Sequence, residues 1–454
     1  MEQITKPHCG ARLDRLPDCR WHSSMFAIVA FGLLVCWSNA VGGLILAQLK
    51  ALGWTDNSTT ATFSAITTAG MFLGALVGGI IGDKTGRRNA FILYEAIHIA
   101  SMVVGAFSPN MDFLIACRFV MGVGLGALLV TLFAGLTEYM PGRNRGTWSS
   151  RVSFIGNWSY PLCSLIAMGL TPLISAEWNW RVQLLIPAIL SLIATALAWR
   201  YFPESPRWLE SRGRYQEAEK VMRSIEEGVI RQTGKPLPPV VIADDGKAPQ
   251  AVPYSALLTG VLLKRVILGS CVLIAMNVVQ YTLINWLPTI FMTQGINLKD
   301  SIVLNTMSMF GAPFGIFIAM LVMDKIPRNT MGVGLLIGYI YSLQTSMLLI
   351  TLIGFFLITF VYMYVCYASA VYVPEIWPTE AKLRGSGLAN AVGRMRGIAA
   401  PYAVAVLLSS YGVTGVFILL GAVSIVVAIA IATIGIETKG VSVESLSIDA
   451  VVNK

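Results

Sequence analysis

A chain of 454 residues that is 55% hydrophobic and only 13% charged carries more apolar surface than a soluble core can bury, so lipid is part of its solvent. The net charge of +9 has the sign that nucleic acid selects, but the Lys and Arg residues are spread over alternate polar loops rather than one patch, which excludes nucleic acid as a partner. The seven cysteines form no Cys-x-x-Cys pair, the three histidines show no ligand spacing such as His-Glu-x-x-His, and no Gly-x-x-x-x-Gly-Lys-Ser/Thr run is present, so no metal site, cofactor, ATP-driven step or catalytic residue is expected.

Residues 1–24 are polar and basic and lead into a first apolar run of full span length without a small-residue cleavage site, as expected for a retained cytoplasmic segment rather than a signal peptide. An apolar stretch of about 20 residues crosses a bilayer as a helix. Six such stretches are expected near 25–48, 61–82, 89–107, 113–137, 148–172 and 181–202. Six more follow near 266–291, 301–323, 331–345, 347–372, 387–409 and 414–436. Between the two sets, 203–264 is the longest polar stretch and contains an amphipathic run from Tyr215 to Met222. The expected architecture is therefore an all-α membrane protein of twelve transmembrane helices in two pseudo-symmetric six-helix bundles, 25–202 and 265–436. A cytoplasmic linker at 203–264 joins them, and a tail follows at 437–454. The termini and even-numbered loops hold about 25 of the 33 basic residues, while the other loops hold only Lys50, Arg181 and Lys299, which places both termini in the cytoplasm.

Two motifs recur in the same order. Gly82-Asp83-Lys84-Thr85-Gly86-Arg87-Arg88 after span two is echoed by Met323-Asp324-Lys325-Ile326-Pro327-Arg328 after span eight. Glu138, Pro141, Arg145 and Gly146 after span four match Glu375, Pro378, Arg384 and Gly385 after span ten. Such repeats imply two bundles related by an axis along the membrane normal, rocking about a central cavity. Acidic residues contribute little to topology. Asp83, Glu138, Glu204, Asp324 and Glu375, set among Arg87, Arg88, Arg145, Arg207, Arg328 and Arg384, are therefore expected to form a cytoplasmic gate whose ion pairs make and break as the halves rock. Gly122, Gly124 and Gly126 lie inside an apolar span and follow no soluble strand, so they read as a helix-packing face and not a phosphate loop.

These motifs resemble the major facilitator superfamily. Asp83 to Arg88 is similar to its loop signature; Arg118-Phe-Val-Met-Gly122, the Glu138/Arg145 and Glu375/Arg384 pairs, Pro203-Glu204-Ser205-Pro206-Arg207-Trp208-Leu209 and Glu437-Thr438-Lys439-Gly440 resemble its sugar porter branch. The resemblance covers nearly the whole chain and is greatest to metabolite transporters of bacterial inner membranes. It implies alternating access for a sugar or related metabolite, with proton-coupled symport. Two departures stand out. Span seven carries Asn277, Gln280, Tyr281, Asn285 and Trp286-Leu287-Pro288, an ending closer to organic-acid porters, and span one offers Trp37, Ser38 and Asn39 where proton-coupled sugar porters place an aspartate.

Charges within spans are costly and mark function. Glu95 and His98, three residues apart on span three, face the same way and are candidates for a proton switch, the alternative being a structural hydrogen bond between packed helices. On span eleven Asn390, Arg394, Gly397 and Pro401 share a face toward the cavity, while Arg396 points about 200 degrees away and has no explanation. With Asn39, Asn157, Trp158, Gln280, Tyr281 and Asn285, the residues Asn390 and Arg394 complete the candidate solute contacts, since amides bond hydroxyls and ring faces pack on C–H surface. The expected partners are a small-molecule solute, protons and the bilayer, with the chain a monomer. The alternatives are an organic-anion porter, with Arg394 holding a carboxylate bidentately, and a non-transporting sensor. Span nine stands apart: Asp83 and Glu138 are 55 residues apart but Asp324 and Glu375 only 51, so a ninth span shortened to 331–345 is expected.

Overall fold

The computed structural model describes residues 7–17, 20–36, 39–140, 145–240, 254–322, 347–373, 376–377 and 382–435. All the regular structure among them is helical. The expected ninth span, 331–345, lies outside the described residues. So do Asp324, Arg328 and Glu375, and the side chains of Arg145, Arg384 and Arg396. In chain order the helices begin with α1 (Cys9–Asp14), α2 (Arg20–Val35), α3 (Gly42–Ala51), α4 (Asn57–Thr85), α5 (Arg87–Ala106) and α6 (Met111–Tyr139). There follow α7 (Arg145–Asn157), α8 (Ser159–Leu170), α9 (Ala176–Tyr201), α10 (Pro206–Ser211), α11 (Tyr215–Thr233) and α12 (Tyr254–Leu257). The last are α13 (Gly260–Thr293), α14 (Leu298–Met309), α15 (Gly311–Val322), α16 (Met347–Cys366) with a π-helical end at Tyr367–Tyr372, and α17 (Lys382–Ile434), which bends at Gly412. Eight helical stretches among the described residues are long and apolar enough to cross a membrane.

Span one is broken between α2 and α3, and span five between α7 and α8 at Trp158, three residues before Pro161. Short polar side chains start the helices where the chain leaves a loop. Asp56 Oδ1 accepts the Thr59 amide at 2.7 Å, Asn110 Oδ1 that of Phe113 at 2.9 Å and Asn297 Oδ1 that of Asp300 at 2.8 Å, each satisfying an orphan N–H of a first turn.

The chain packs into two units. Unit 1 comprises Met1–Ser38, Gly70–Ser159 and Leu184–Gly246. Its core gathers Val29, Phe91, Tyr94, Leu128, Leu132, Tyr139 and Phe202, all buried. The small residues of span four do what their size allows: a Cβ on Gly126 would stand 2.1 Å from the Met71 carbonyl oxygen, so α4 and α6 touch backbone to backbone.

Unit 1 also contains a subdomain outside the apolar spans. Cys9, Leu13 and Leu16 are fully buried against Trp208, Leu209, Ala218, Met222, Ile225 and Val229 of α10 and α11. α11 presents its apolar residues at helical spacing and keeps its charged face outward. Charges then fix α1 in register. Arg12 bridges Glu219 and Glu226, the latter at 2.7 Å, Arg15 reaches Glu226 at 2.7 Å, and Arg207 reaches Asp14 at 2.9 Å. Burial pushes the Glu226 carboxyl up, but the hydrogen bonds and charges of Arg12 and Arg15 outweigh it and hold the group below its ordinary range. A carboxylate with a depressed folded pKa stabilises fully above its unfolded value and loses that contribution as pH falls through the folded one. The clasp is therefore expected to loosen in acid. Arg12→Ala should cost about 1–3 kcal/mol locally, since bonds to charged groups are worth that much. By hydrogen exchange at neutral pH, the amides of residues 9–14 should exchange roughly ten- to a hundredfold faster in the variant; unchanged exchange would show that the apolar contacts alone hold α1.

Unit 2 comprises Asn39–Ala69, Tyr160–Gln183 and Lys247–Lys454, so it joins parts of spans one, two, five and six to the helices of the last six spans. Trp286 and Ile290 of α13 bury themselves among Ala61, Val404, Ala405, Leu408 and Val416. α3 crosses α13 at Gly43, where a Cβ would stand 2.4 Å from the Ile284 carbonyl oxygen. Nearby in sequence, the Asn57 amide donates to Ser409 Oγ at 2.9 Å.

Candidate functional site

Within unit 2 four polar aromatic and amide side chains converge. Tyr160 opens α8, Gln280 and Tyr281 lie on α13, and Tyr362 lies on α16. The rings of Tyr160 and Tyr362 meet edge to face at 5.3 Å between centroids, and their hydroxyls lie among those of each other, Tyr281 and the Gln280 amide. Tyr362 Oη is buried without a well-formed hydrogen bond among the described residues. One turn along α8, Ser164 accepts from Asn305 Nδ2 at 3.2 Å and its carbonyl accepts from Thr306 Oγ1 at 3.2 Å, which leaves Asn305 Oδ1 without a partner among the described residues. Tyr281 lies close to span eleven: a Cβ added to Gly397 would lie 4.0 Å from its ring and 3.7 Å from Thr68 of α4. Buried polar groups without a partner cost free energy unless water or a ligand takes them up, and among the described residues of unit 2 Tyr362 Oη and Asn305 Oδ1 are two such groups.

The sequence-derived candidates distribute unevenly around this cluster. Gln280 and Tyr281 are in it. Asn285 is buried at 6% exposure beside the α3 crossing, where a Cβ on Gly43 would stand 2.9 Å from its carbonyl oxygen. Asn39 forms the turn that leads into α3, its carbonyl accepting the Gly42 amide at 3.1 Å. Arg394 is half-buried, whereas Asn390 is exposed and spends its amide on the Ser386 carbonyl of its own helix at 3.0 Å. Asn157 and Trp158 belong to unit 1, where the Asn157 amide donates to the Ser153 carbonyl at 2.7 Å and Trp158 lies edge-on to Phe154. Sequence reasoning missed Tyr160, Asn305 and Tyr362. The available signal was Tyr160-Pro161 two residues past Trp158 and a tyrosine within the apolar run of span ten.

The charged residues of the first repeat form a second site, in unit 1. Arg87 pairs with Asp83 at 2.8 Å and Glu138 at 2.7 Å. Glu204 pairs with no guanidinium among these; its Oε1 accepts the backbone amides of Arg87 at 2.7 Å and Arg88 at 3.3 Å, so the carboxylate sits on the amino terminus of α5. Anions are stabilised there by the free N–H groups and the helix dipole. Gly86, at φ +95°, makes the seat possible: a Cβ would stand 2.2 Å from Glu204 Oε2. Burial pushes the Glu204 carboxyl above its ordinary range, against the opposing effect of those amides. The other side of the same turn is held by Trp208 Nε1, which donates to the Asp83 carbonyl at 2.7 Å. Arg207 turns away to Asp14, and Arg88 donates to the Trp199 carbonyl. In the middle of unit 1, Glu95 and His98 are fully buried, with Glu95 Oε2 and His98 Nδ1 3.4 Å apart.

Comparison with known proteins accords with these features. The family model described as "Sugar (and other) transporter" matches residues 24–450. YdjK of Escherichia coli (strain K12), whose name describes it provisionally as a metabolite transport protein, is 98% identical over 459 aligned positions that cover the whole of both chains. The inner membrane metabolite transport protein YdjE of the same organism is 43% identical, covering 98% of this chain and 99% of its own. A partially occluded, inward-open structure of the xylose transporter XylE from E. coli superposes with a TM-score of 0.72 at 18% identity, over 93% of this chain and all of that one. Another XylE structure describes it as a proton:xylose symporter of the major facilitator superfamily. The fold is thus the twelve-helix major facilitator fold, and the chain belongs to the sugar (and other) transporter family of membrane transporters.

Proposed function

We propose that the chain carries a small hydroxylated solute, a sugar or a sugar-derived metabolite, across the bacterial inner membrane as a monomer, by alternating access driven by protons. The observation that carries this reading is the cluster of Tyr160, Gln280, Tyr281 and Tyr362 in unit 2. Phenol and amide groups donate and accept in several directions, as a polyol requires, and aromatic faces pack on its C–H surface. The alternation of Lys and Arg between loops supports cytoplasmic termini. In that orientation the Gly43 crossing and the Asn57–Ser409 bond close the outer end of unit 2, and the Asp83, Arg87, Glu138 and Glu204 cluster belongs to the cytoplasmic end. The relation to a proton:xylose symporter supports proton coupling.

A thermal-shift screen of the detergent-purified protein against hexoses, hexitols, hexonates and aromatic acids tests the solute class, because a ligand that binds only the folded state raises its melting temperature. A hexose, hexitol or hexonate is expected to stabilise the protein. Gln280→Ala and Tyr362→Phe should each weaken that ligand roughly tenfold, about one hydrogen bond's worth. Stabilisation by aromatic acids alone, lost in Arg394→Ala, would replace this reading with an organic-anion porter.

A further inference from the structure

Three metal-ligating side chains meet inside unit 1 where the sequence showed only a pair. Cys36, which follows the last turn of α2, places Sγ 3.8 Å from Glu95 Oε1. The other Glu95 oxygen lies 3.4 Å from His98 Nδ1, and one ligand atom from each residue falls within 4.8 Å of the others. Glu95 and His98 have no exposure and Cys36 has 9%. Zinc bonds of about 2.0–2.3 Å to nitrogen, oxygen and sulfur, arranged tetrahedrally, put neighbouring ligand atoms roughly 3.3–3.6 Å apart. The two carboxylate oxygens of Glu95 lie at about that distance, one from Cys36 Sγ and the other from His98 Nδ1, and one ligand atom of each residue lies within 4.8 Å of the others.

The charge balance fits as well. A thiolate and a carboxylate together neutralise a divalent cation and the imidazole binds uncharged, so the loaded site carries no net charge into a low-dielectric interior. Thiolate and imidazole select zinc-like cations over magnesium or calcium, which demand oxygen. Glu and His at i,i+3 also present their ligand atoms from one helical face, a spacing that helix bundles use for bound metals.

We propose that Cys36, Glu95 and His98 bind one thiophilic divalent cation of the zinc class, which ties the end of α2 to α5. The site gives Glu95 and His98 a different task from the proton switch for which they are candidates. It escaped the search for ligand spacing because its third member lies 59 residues from Glu95, on another span.

Titrating the full-length purified protein with Cd²⁺, and following the thiolate-to-metal charge-transfer absorption, tests the site. The expected result is one Cd²⁺ per chain, with affinity reduced at least tenfold in Cys36→Ser and in Glu95→Gln. Cys117→Ser and Cys271→Ser should bind as the unaltered protein does. Zn²⁺ should raise the melting temperature of the unaltered protein and not that of Cys36→Ser. Should Cys36→Ser fold poorly, Cys36→His supplies the second test: it is expected to retain one Cd²⁺ by equilibrium dialysis while losing the absorption band. Absorption and stabilisation that persist in Cys36→Ser, or a folded Cys36→His that keeps the band, would overturn the proposal.

Discussion

Gly43→Leu is expected to cut solute exchange roughly ten- to a hundredfold while leaving the protein folded and able to bind its solute. Gly43 sits where α3 crosses α13, and even a methyl group there would stand 2.4 Å from the Ile284 carbonyl oxygen and 2.9 Å from that of Asn285. Those neighbours are backbone of a helix that carries Trp286 and Ile290 into a buried core, so they cannot swing aside as a side-chain end would. Overpacking of this kind costs about 1–3 kcal/mol, and each 1.4 kcal/mol is tenfold in a population, so the state in which α3 seats on α13 should fall roughly ten- to a hundredfold. A state without that contact would keep its energy. Gly79→Leu is the control, since nothing lies within 4 Å of a Cβ there. Solute exchange in proteoliposomes should fall with Gly43→Leu and persist with Gly79→Leu. Equal rates in the two variants would remove the crossing from the transport cycle.

A second large effect is expected from lengthening span nine. The second repeat is four residues shorter than the first between its matched motifs, as the 55- and 51-residue separations show. Four residues are roughly 6 Å of helix, and a helix of the 15 residues expected for span nine would reach only about 22 Å against a core near 30 Å. Mismatch costs fractions of a kcal/mol per ångström. Inserting five apolar residues after Ile337 should therefore stabilise the protein in lipid nanodiscs by about 1–4 kcal/mol, a rise in melting temperature of several degrees. A lower melting temperature after the insertion would place the missing residues elsewhere.

The spans were legible because hydropathy over about 20 residues is set by lipid and not by tertiary contacts. α4, α5, α6, α9 and α13 coincide with their apolar runs. What hydropathy cannot show is a break inside an apolar run: averaged over 25–48 it does not reveal that span one divides between α2 and α3. The amphipathic α11 was visible from Tyr215, but its partner α1, at six residues, is too short for any periodicity to register.

Candidate site residues stand out in the sequence where chemistry and burial conflict within one span, as for Glu95 and His98, and stay obscure where a cluster is assembled across elements. Tyr160 and Tyr362 are 202 positions apart and unremarkable singly. Cys36, in no Cys-x-x-Cys pair, carried no signal until α5 supplied its neighbours. Glu204 illustrates a subtler limit. Its sequence context suggests a guanidinium partner, yet the available amides of α5 and the missing Cβ of Gly86 offer a better seat. Charge pairing read from sequence counts side chains alone and overlooks helix ends, which compete for the same carboxylates.

Alternating access for a hydroxylated solute is tested most directly by counterflow in proteoliposomes, using the radiolabelled compound that gives the largest thermal shift. Counterflow should be saturable and fall roughly tenfold in Gln280→Ala, in line with the loss of one hydrogen bond. Absence of counterflow for every compound that binds, or a flux that rises linearly with concentration and ignores Gln280→Ala, would contradict it.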